Sequence, residues 1–145
     1  VAEVEVDRLN GKVRVLRYFC ATDAGRAINP ALCRQQLHGE ILMGLGMTLH
    51  EEMRFENGQL LNPSYVDYKI PSVKDVIGSM DIVLRESRHP DGPFGAKGIG
   101  EVAVPQVSPA VANAIYDAVG VRFHRLPITP ERVLQALREQ AEPNA

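Results

Sequence analysis

A single carboxylate, Glu101, closes the run His89-Pro-Asp-Gly-Pro-Phe-Gly-Ala-Lys-Gly-Ile-Gly-Glu101, in which glycine stands at 92, 95, 98 and 100. Glycine at this density disfavours both regular helix and regular strand. It permits a loop whose bare backbone approaches something bulky and which delivers a glutamate at its end. Ile99, Val102 and Val104 predict an apolar, partly dry setting, in which a carboxylate is suited to work as a general base. The same run also reads as a surface loop whose acid stands at the start of a helix, and residue types alone leave both readings open.

Other candidate chemistry is thinner. Cys20 and Cys33 form no Cys-x-x-Cys pair and read as two free thiols or one disulfide, the former expected in a reducing, cytoplasmic setting. An iron–sulfur cluster needs about four thiolates, so none is expected here. His38, His50, His89 and His124 have no metal-site spacing, and no metal-ligating set is predicted. Neither Gly44-Leu-Gly46 nor Gly95…Gly100 completes a dinucleotide fingerprint. Lys97 is followed by glycine where a P-loop requires Ser or Thr.

The elements that must position Glu101 are legible in outline. Val4 to Phe19 reads as a hairpin turning at Asn10-Gly11. Asn29 as N-cap and Pro30 at the first helical position start a helix predicted to run to Glu51, with Leu37, Ile41, Leu45 and Leu49 on one face. Gly39, Gly44 and Gly46 inside it predict that another backbone or a cofactor presses against it. A second hairpin is predicted around Asn57-Gly58, a strand at Asp81 to Arg85, and a helix capped by Ser108 with Pro109 first and Gly120 as its stop. A strand-like run at Val121 to Arg125 and a helix opened by Thr129-Pro130 follow. Strands and helices mix without β-α-β alternation, so the fold class is α+β. Residues 1–138 read as one domain and 139–145 as a polar tail.

The chain has 145 residues, 45% hydrophobic and 23% charged, the balance of an ordinary globular domain. A net charge of −2 with scattered basic residues gives no reason to expect nucleic acid as a partner. No apolar stretch approaches the roughly 20 residues of a membrane span.

Three blocks together carry a family resemblance. Gly95-Ala-Lys-Gly-Ile-Gly-Glu101, followed by Pro105, Pro109-Ala-Val-Ala-Asn-Ala-Ile-Tyr116-Asp-Ala and Leu126-Pro-Ile-Thr-Pro-Glu-Arg-Val133, resembles the C-terminal end of the molybdopterin-binding subunit of the xanthine dehydrogenase/aldehyde oxidase family, the molybdenum hydroxylases. Asp23-Ala-Gly-Arg-Ala-Ile-Asn-Pro30 with Gln36, Gly39, Gly44-Leu-Gly46 and Glu51-Glu52 agrees, as does Asn62-Pro-Ser-Tyr-Val-Asp-Tyr-Lys-Ile-Pro71. The blocks are collinear and span roughly Val4 to Leu137.

The resemblance implies a mixed sheet with hairpins packed against a few helices, part of a larger molybdopterin-binding domain. It implies that Glu101 is the active-site base beside molybdenum, in oxidative hydroxylation of an aldehyde or N-heterocycle. Gln36 matches a glutamine that hydrogen-bonds the pterin cofactor, and Gly98 and Gly100 would let the loop pass beside it. The chain departs from the family at His38, where glutamate is usual, and at Glu40, where a small residue is usual; a charge there is expected to loosen helix packing against the cofactor or partner. Asp23, Asn29, Asp67 and Tyr68 read as scaffold, and Lys97 as a loop lysine able to meet a carboxylate. The implied cofactor is molybdenum–molybdopterin, shared with the rest of the enzyme, while iron–sulfur and FAD groups belong to other domains or subunits. The implied partners are the remaining molybdopterin-binding region and the iron–sulfur and flavin subunits, with a small-molecule substrate. On this reading the chain is a fragment or small subunit, inactive alone and prone to self-association through an uncovered apolar face. The alternative is a non-catalytic interaction or assembly module that keeps the fold without molybdenum.

Overall fold

Alternating residues and turn chemistry build the first hairpin. In a computed structural model describing residues 1–141, β1 (Ala2–Val6) pairs antiparallel with β2 (Val13–Asp23). The connection is longer than the two-residue turn expected at Asn10-Gly11. Asp7 takes over its organisation, its carboxylate accepting from Leu9 N and Asn10 Nδ2 while its backbone N–H donates to Lys12 O. Gly11 takes a left-handed φ of 74°, and a side chain there would collide with the Pro130 carbonyl.

β2 runs four residues past Phe19 because it has a second partner. β5 (Ser79–Arg85) pairs with it in parallel, Tyr18 facing Met80, Cys20 facing Ile82 and Thr22 facing Leu84. The sheet order is β1-β2-β5. Tyr18, Cys20 and Thr22 turn toward the helices and are buried, whereas Arg17, Phe19 and Ala21 face outward, the two-residue period of a strand.

Asn29 caps the long helix α1 (Pro30–Leu49), its side chain accepting from Leu32 N. Leu37, Ile41 and Leu45 meet Val107, Val111 and Ile115 of α2 (Val104–Val119) in the core, with Ile128 and with Val133 and Leu137 of α3 (Pro130–Ala141). Each such side chain contributes roughly 1.5–3 kcal/mol by burial. A methyl group on Gly44 would lie 2.6 Å from Val107 Cγ2, so this glycine allows α1 and α2 to touch. Gly46 is similarly closed in by Glu51 and Pro71. Between α1 and β5, a small hairpin of β3 (Phe55–Glu56) and β4 (Gln59–Leu60) forms at Asn57-Gly58 as expected.

Three expectations are corrected. α2 begins at Val104, not at Ser108, so Pro109 lies inside the helix. Ser108 instead shares a hydrogen bond with Thr48 of α1, 2.8 Å. Val121 to Arg125 forms no strand, having no neighbour to pair with; Arg122 folds back over the Tyr116 ring and donates to Asn113. The polar tail predicted from 139 is helical through Ala141, and 142–145 lie outside the described residues. The mixed sheet under three helices is the expected α+β architecture. No helix among the described residues is long and apolar enough to cross a membrane.

Candidate functional site

The glycine loop is anchored at both ends, by different means. At its start, Arg26 N donates to Gly95 O at 2.9 Å and Lys97 N to Ala24 O at 3.0 Å. Gly25, at φ 59°, allows this approach, since a methyl group there would sit 2.5 Å from Gly95 O. Lys97 Nζ donates to Asp23 Oδ2 at 2.8 Å and to Ser87 Oγ at 2.8 Å. The Lys97 ammonium first, and the Ser87 hydroxyl after it, hold the Asp23 carboxyl well below the usual carboxylate range. Lys97 therefore meets a carboxylate of the scaffold, and Asp23 ties β2 to the loop.

At its far end the loop is held by α1. Gln36 Nε2 donates to Gly100 O at 2.8 Å, and Glu40 Oε2 accepts from Ala103 N at 2.6 Å. Gln36, Gly98, Gly100 and Glu101, predicted as one site from separate parts of the sequence, lie together on this surface. Glu40 is not on the outer face of α1. It turns inward, 2% exposed, because the N-terminus of α2 offers it a backbone donor. Its role was not readable from the sequence; the one signal was its spacing of four from Gln36, which places both on one helix face.

Between the anchors the surface is bare. Glu101 and Val102 are exposed, so the dry setting predicted around the glutamate is not built by these 141 residues. No ion pair holds Glu101 among the described residues. A methyl group on Gly39, Gly98 or Gly100 would meet no atom within 4 Å, and none of the three needs a left-handed φ. Nothing in the chain's own packing accounts for glycine there. Flat, open backbone beside an amide and a carboxylate fits a large planar cofactor approaching from outside. Among the described residues no group of three His, Cys, Asp or Glu side chains is placed to hold a metal ion.

Around the site the remaining candidates are structural. Tyr68 donates to Glu51 Oε2 at 2.7 Å, which raises its pKa, and Asp67 lies in the exposed turn next to it. Cys20 is buried and Cys33 half-buried, both free thiols. Buried Asn62, not singled out in the sequence, bridges Glu52 O and Arg54 N. A cleft of about 770 Å³ between the first turn and the end of α1, lined by Lys12, His50, Lys74 and Asp75, includes no residue of the glycine loop.

Known proteins of similar sequence and fold identify the family. The profile of the molybdopterin cofactor-binding domain family matches residues 1–77. The chain is 40% identical over 136 residues to the 6-hydroxypseudooxynicotine dehydrogenase complex subunit gamma of Paenarthrobacter nicotinovorans, covering 92% of this chain and 17% of that protein. It is 36% identical over 137 residues to the aldehyde oxidoreductase molybdenum-binding subunit PaoC of Escherichia coli, covering 93% and 19%. Quinoline 2-oxidoreductase from Pseudomonas putida 86 shares its fold with a TM-score of 0.87 at 35% identity, over 94% of this chain and 18% of that one. The chain is a portion of a molybdopterin cofactor-binding domain and belongs to the xanthine dehydrogenase/aldehyde oxidase family. It spans less than a fifth of the length of these relatives.

Proposed function

We propose that this chain forms one wall of the cofactor site of a molybdenum hydroxylase and supplies its general base, Glu101. The observation that carries the reading is the exposed Glu101 at the end of a bare glycine loop, with Gln36 bonded to the adjacent Gly100. When bound, the molybdenum–molybdopterin group would supply the two-electron oxidation. Glu101 would accept a proton at its carboxylate as oxygen is delivered to an electron-poor carbon of an aldehyde or N-heteroaromatic substrate. Gln36 fixes the loop and offers its amide to the pterin, while Gly98 and Gly100 keep side chains out of the cofactor's path.

The rest of the molybdopterin-binding region closes the site and makes it dry. The outward face of α1 supports this, carrying Leu32, Met43 and Met47 at 60%, 47% and 47% exposure opposite its buried face. Apolar side chains exposed opposite a helix's buried face suit burial against a further part of a larger body. Electron carriers, iron–sulfur and flavin, lie outside this chain.

Glu101→Gln in the parent enzyme tests the assignment. Turnover should fall by about 10²–10⁴-fold, the usual worth of a positioned base, with molybdenum content unchanged. Normal turnover would refute the role of Glu101. Absence of molybdenum from the purified parent protein would favour the assembly-module reading instead.

A further inference from the structure

Glu40 is a carboxylate in the wrong place for stability alone. It lies 2% exposed between Leu37, Ile41 and Gly44, and only Oε2 is satisfied, by Ala103 N at 2.6 Å. Oε1 is buried with no hydrogen-bond partner among the described residues. An unmatched buried oxygen is costly, and methionine would fill the same space without that cost. What methionine lacks is an acceptor for Ala103.

That acceptor matters because of where Ala103 stands. It is the N-cap of α2, and its methyl side chain caps nothing. The amides at a helix start have no intrahelical partner. Glu40 therefore does from a neighbouring helix what a glutamate in the first turn does in a capping box, and its charge suits the positive end of α2. One turn earlier on α1, Gln36 donates to Gly100 O. Glu101 and Val102 are thus slung between two bonds made by one rigid helix. One bond grips a carbonyl and the other an N–H, so the segment cannot slip by a residue and satisfy both.

We propose that Glu40 is a positioning residue for Glu101, fixing the exit of the glycine loop through Ala103 N while Gln36 fixes its approach through Gly100 O. The inference rests on the reading of Glu101 as the base. Its test uses Glu40→Met, Glu40→Asp and Glu40→Gln in the parent enzyme, with amide exchange resolved over residues 100–104 alongside steady-state kinetics. Glu40→Met should speed exchange at Ala103 by about 10–100-fold, the worth of a hydrogen bond to a charged group. It should lower kcat by about 10–100-fold with KM nearly unchanged, as displacement of a catalytic group does. Glu40→Asp keeps the charge but withdraws the oxygen, and should shift both readouts the same way even if the methionine variant fails to fold. Glu40→Gln keeps an oxygen for Ala103 without the charge and should be affected less than Glu40→Asp in both.

Native exchange at Ala103 or native kcat in Glu40→Asp overturns the assignment, as does damage in Glu40→Gln equal to that in Glu40→Asp. If Glu101→Gln abolishes turnover while the Glu40 variants exchange and turn over normally, Glu40 alone falls. Normal turnover in Glu101→Gln removes the base, and the positioning role with it.

Discussion

Gly39 and Gly44 lie on one helix, five residues apart, and the same substitution should have opposite effects at the two. Replacing glycine by alanine inside a helix gains roughly 0.5–1 kcal/mol. At Gly39 the new methyl meets nothing within 4 Å, so the full gain should appear. At Gly44 it would stand 2.6 Å from Val107 Cγ2, 2.7 Å from Val107 Cβ and 3.0 Å from Val104 O. Val107 is fully buried, and a β-branched side chain in a helix has essentially one rotamer. It cannot swing away, so α1 and α2 must part. Overpacking of this kind costs about 1–3 kcal/mol, which leaves Gly44→Ala destabilised by up to about 2.5 kcal/mol after the propensity gain. Urea unfolding of the chain followed by circular dichroism should show the Gly39→Ala midpoint rising and the Gly44→Ala midpoint falling. With m near 1–3 kcal/mol/M, the two variants should separate by about 1 M. Val107→Ala should relieve part of the Gly44→Ala loss, giving a less than additive double mutant. Shifts of the same sign at both glycines would refute the packing account.

Two titrations test the network behind the loop and the core beneath it. The Asp23 carboxyl is held low by Lys97 and then Ser87, so its contribution is present above the unfolded value of about 3.9 and is lost as pH falls through the folded value. Asp23→Asn should therefore lower stability at pH 7 and flatten its decline below about pH 4; coincident urea midpoints from neutral to acid pH would contradict this. Burial first, and Cys20 second, push the Tyr18 phenol up to about 12. Its contribution is intact below about pH 10, the unfolded value, and fades as pH rises through the folded one. Ultraviolet titration of the folded chain should show a late phase, to which Tyr68 also contributes through its bond to Glu51, that shrinks in Tyr18→Phe; ionisation of every tyrosine near pH 10 would argue against it.

Local signals were read well where the chain dictates its own geometry. Asn29-Pro30 starts α1 and Asn57-Gly58 turns the small hairpin because capping and turn preferences act over a few residues. Apart from the first turn, which Asp7 reorganises locally, the misreadings concern partners distant in sequence. α2 starts at Val104 because Glu40, 63 residues away, receives the Ala103 N–H that no local side chain could. β2 extends to Asp23 because β5 continues alongside it, and Val121–Arg125 stays irregular for want of a neighbour. The candidate site follows the same division. Gln36, Gly98, Gly100 and Glu101 came from motif resemblance, whereas the two bonds from α1 that join them depend on tertiary packing.

The parallel pairing of β2 with β5 has a consequence for how the chain reaches this fold. β1 and β2 are joined by a short connection and can zip together soon after synthesis. β5 must wait for residues 24–78, including all of α1, to be made and folded across the sheet. Non-local pairings of this kind pay their loop entropy before any contact repays it, and they set slow folding rates. Until β5 arrives, the central strand has one bare edge, the geometry most open to pairing with a second chain. Asp23 and Lys97, which lock the end of that strand to the glycine loop, join only after this step, so the loop is anchored later than the first hairpin.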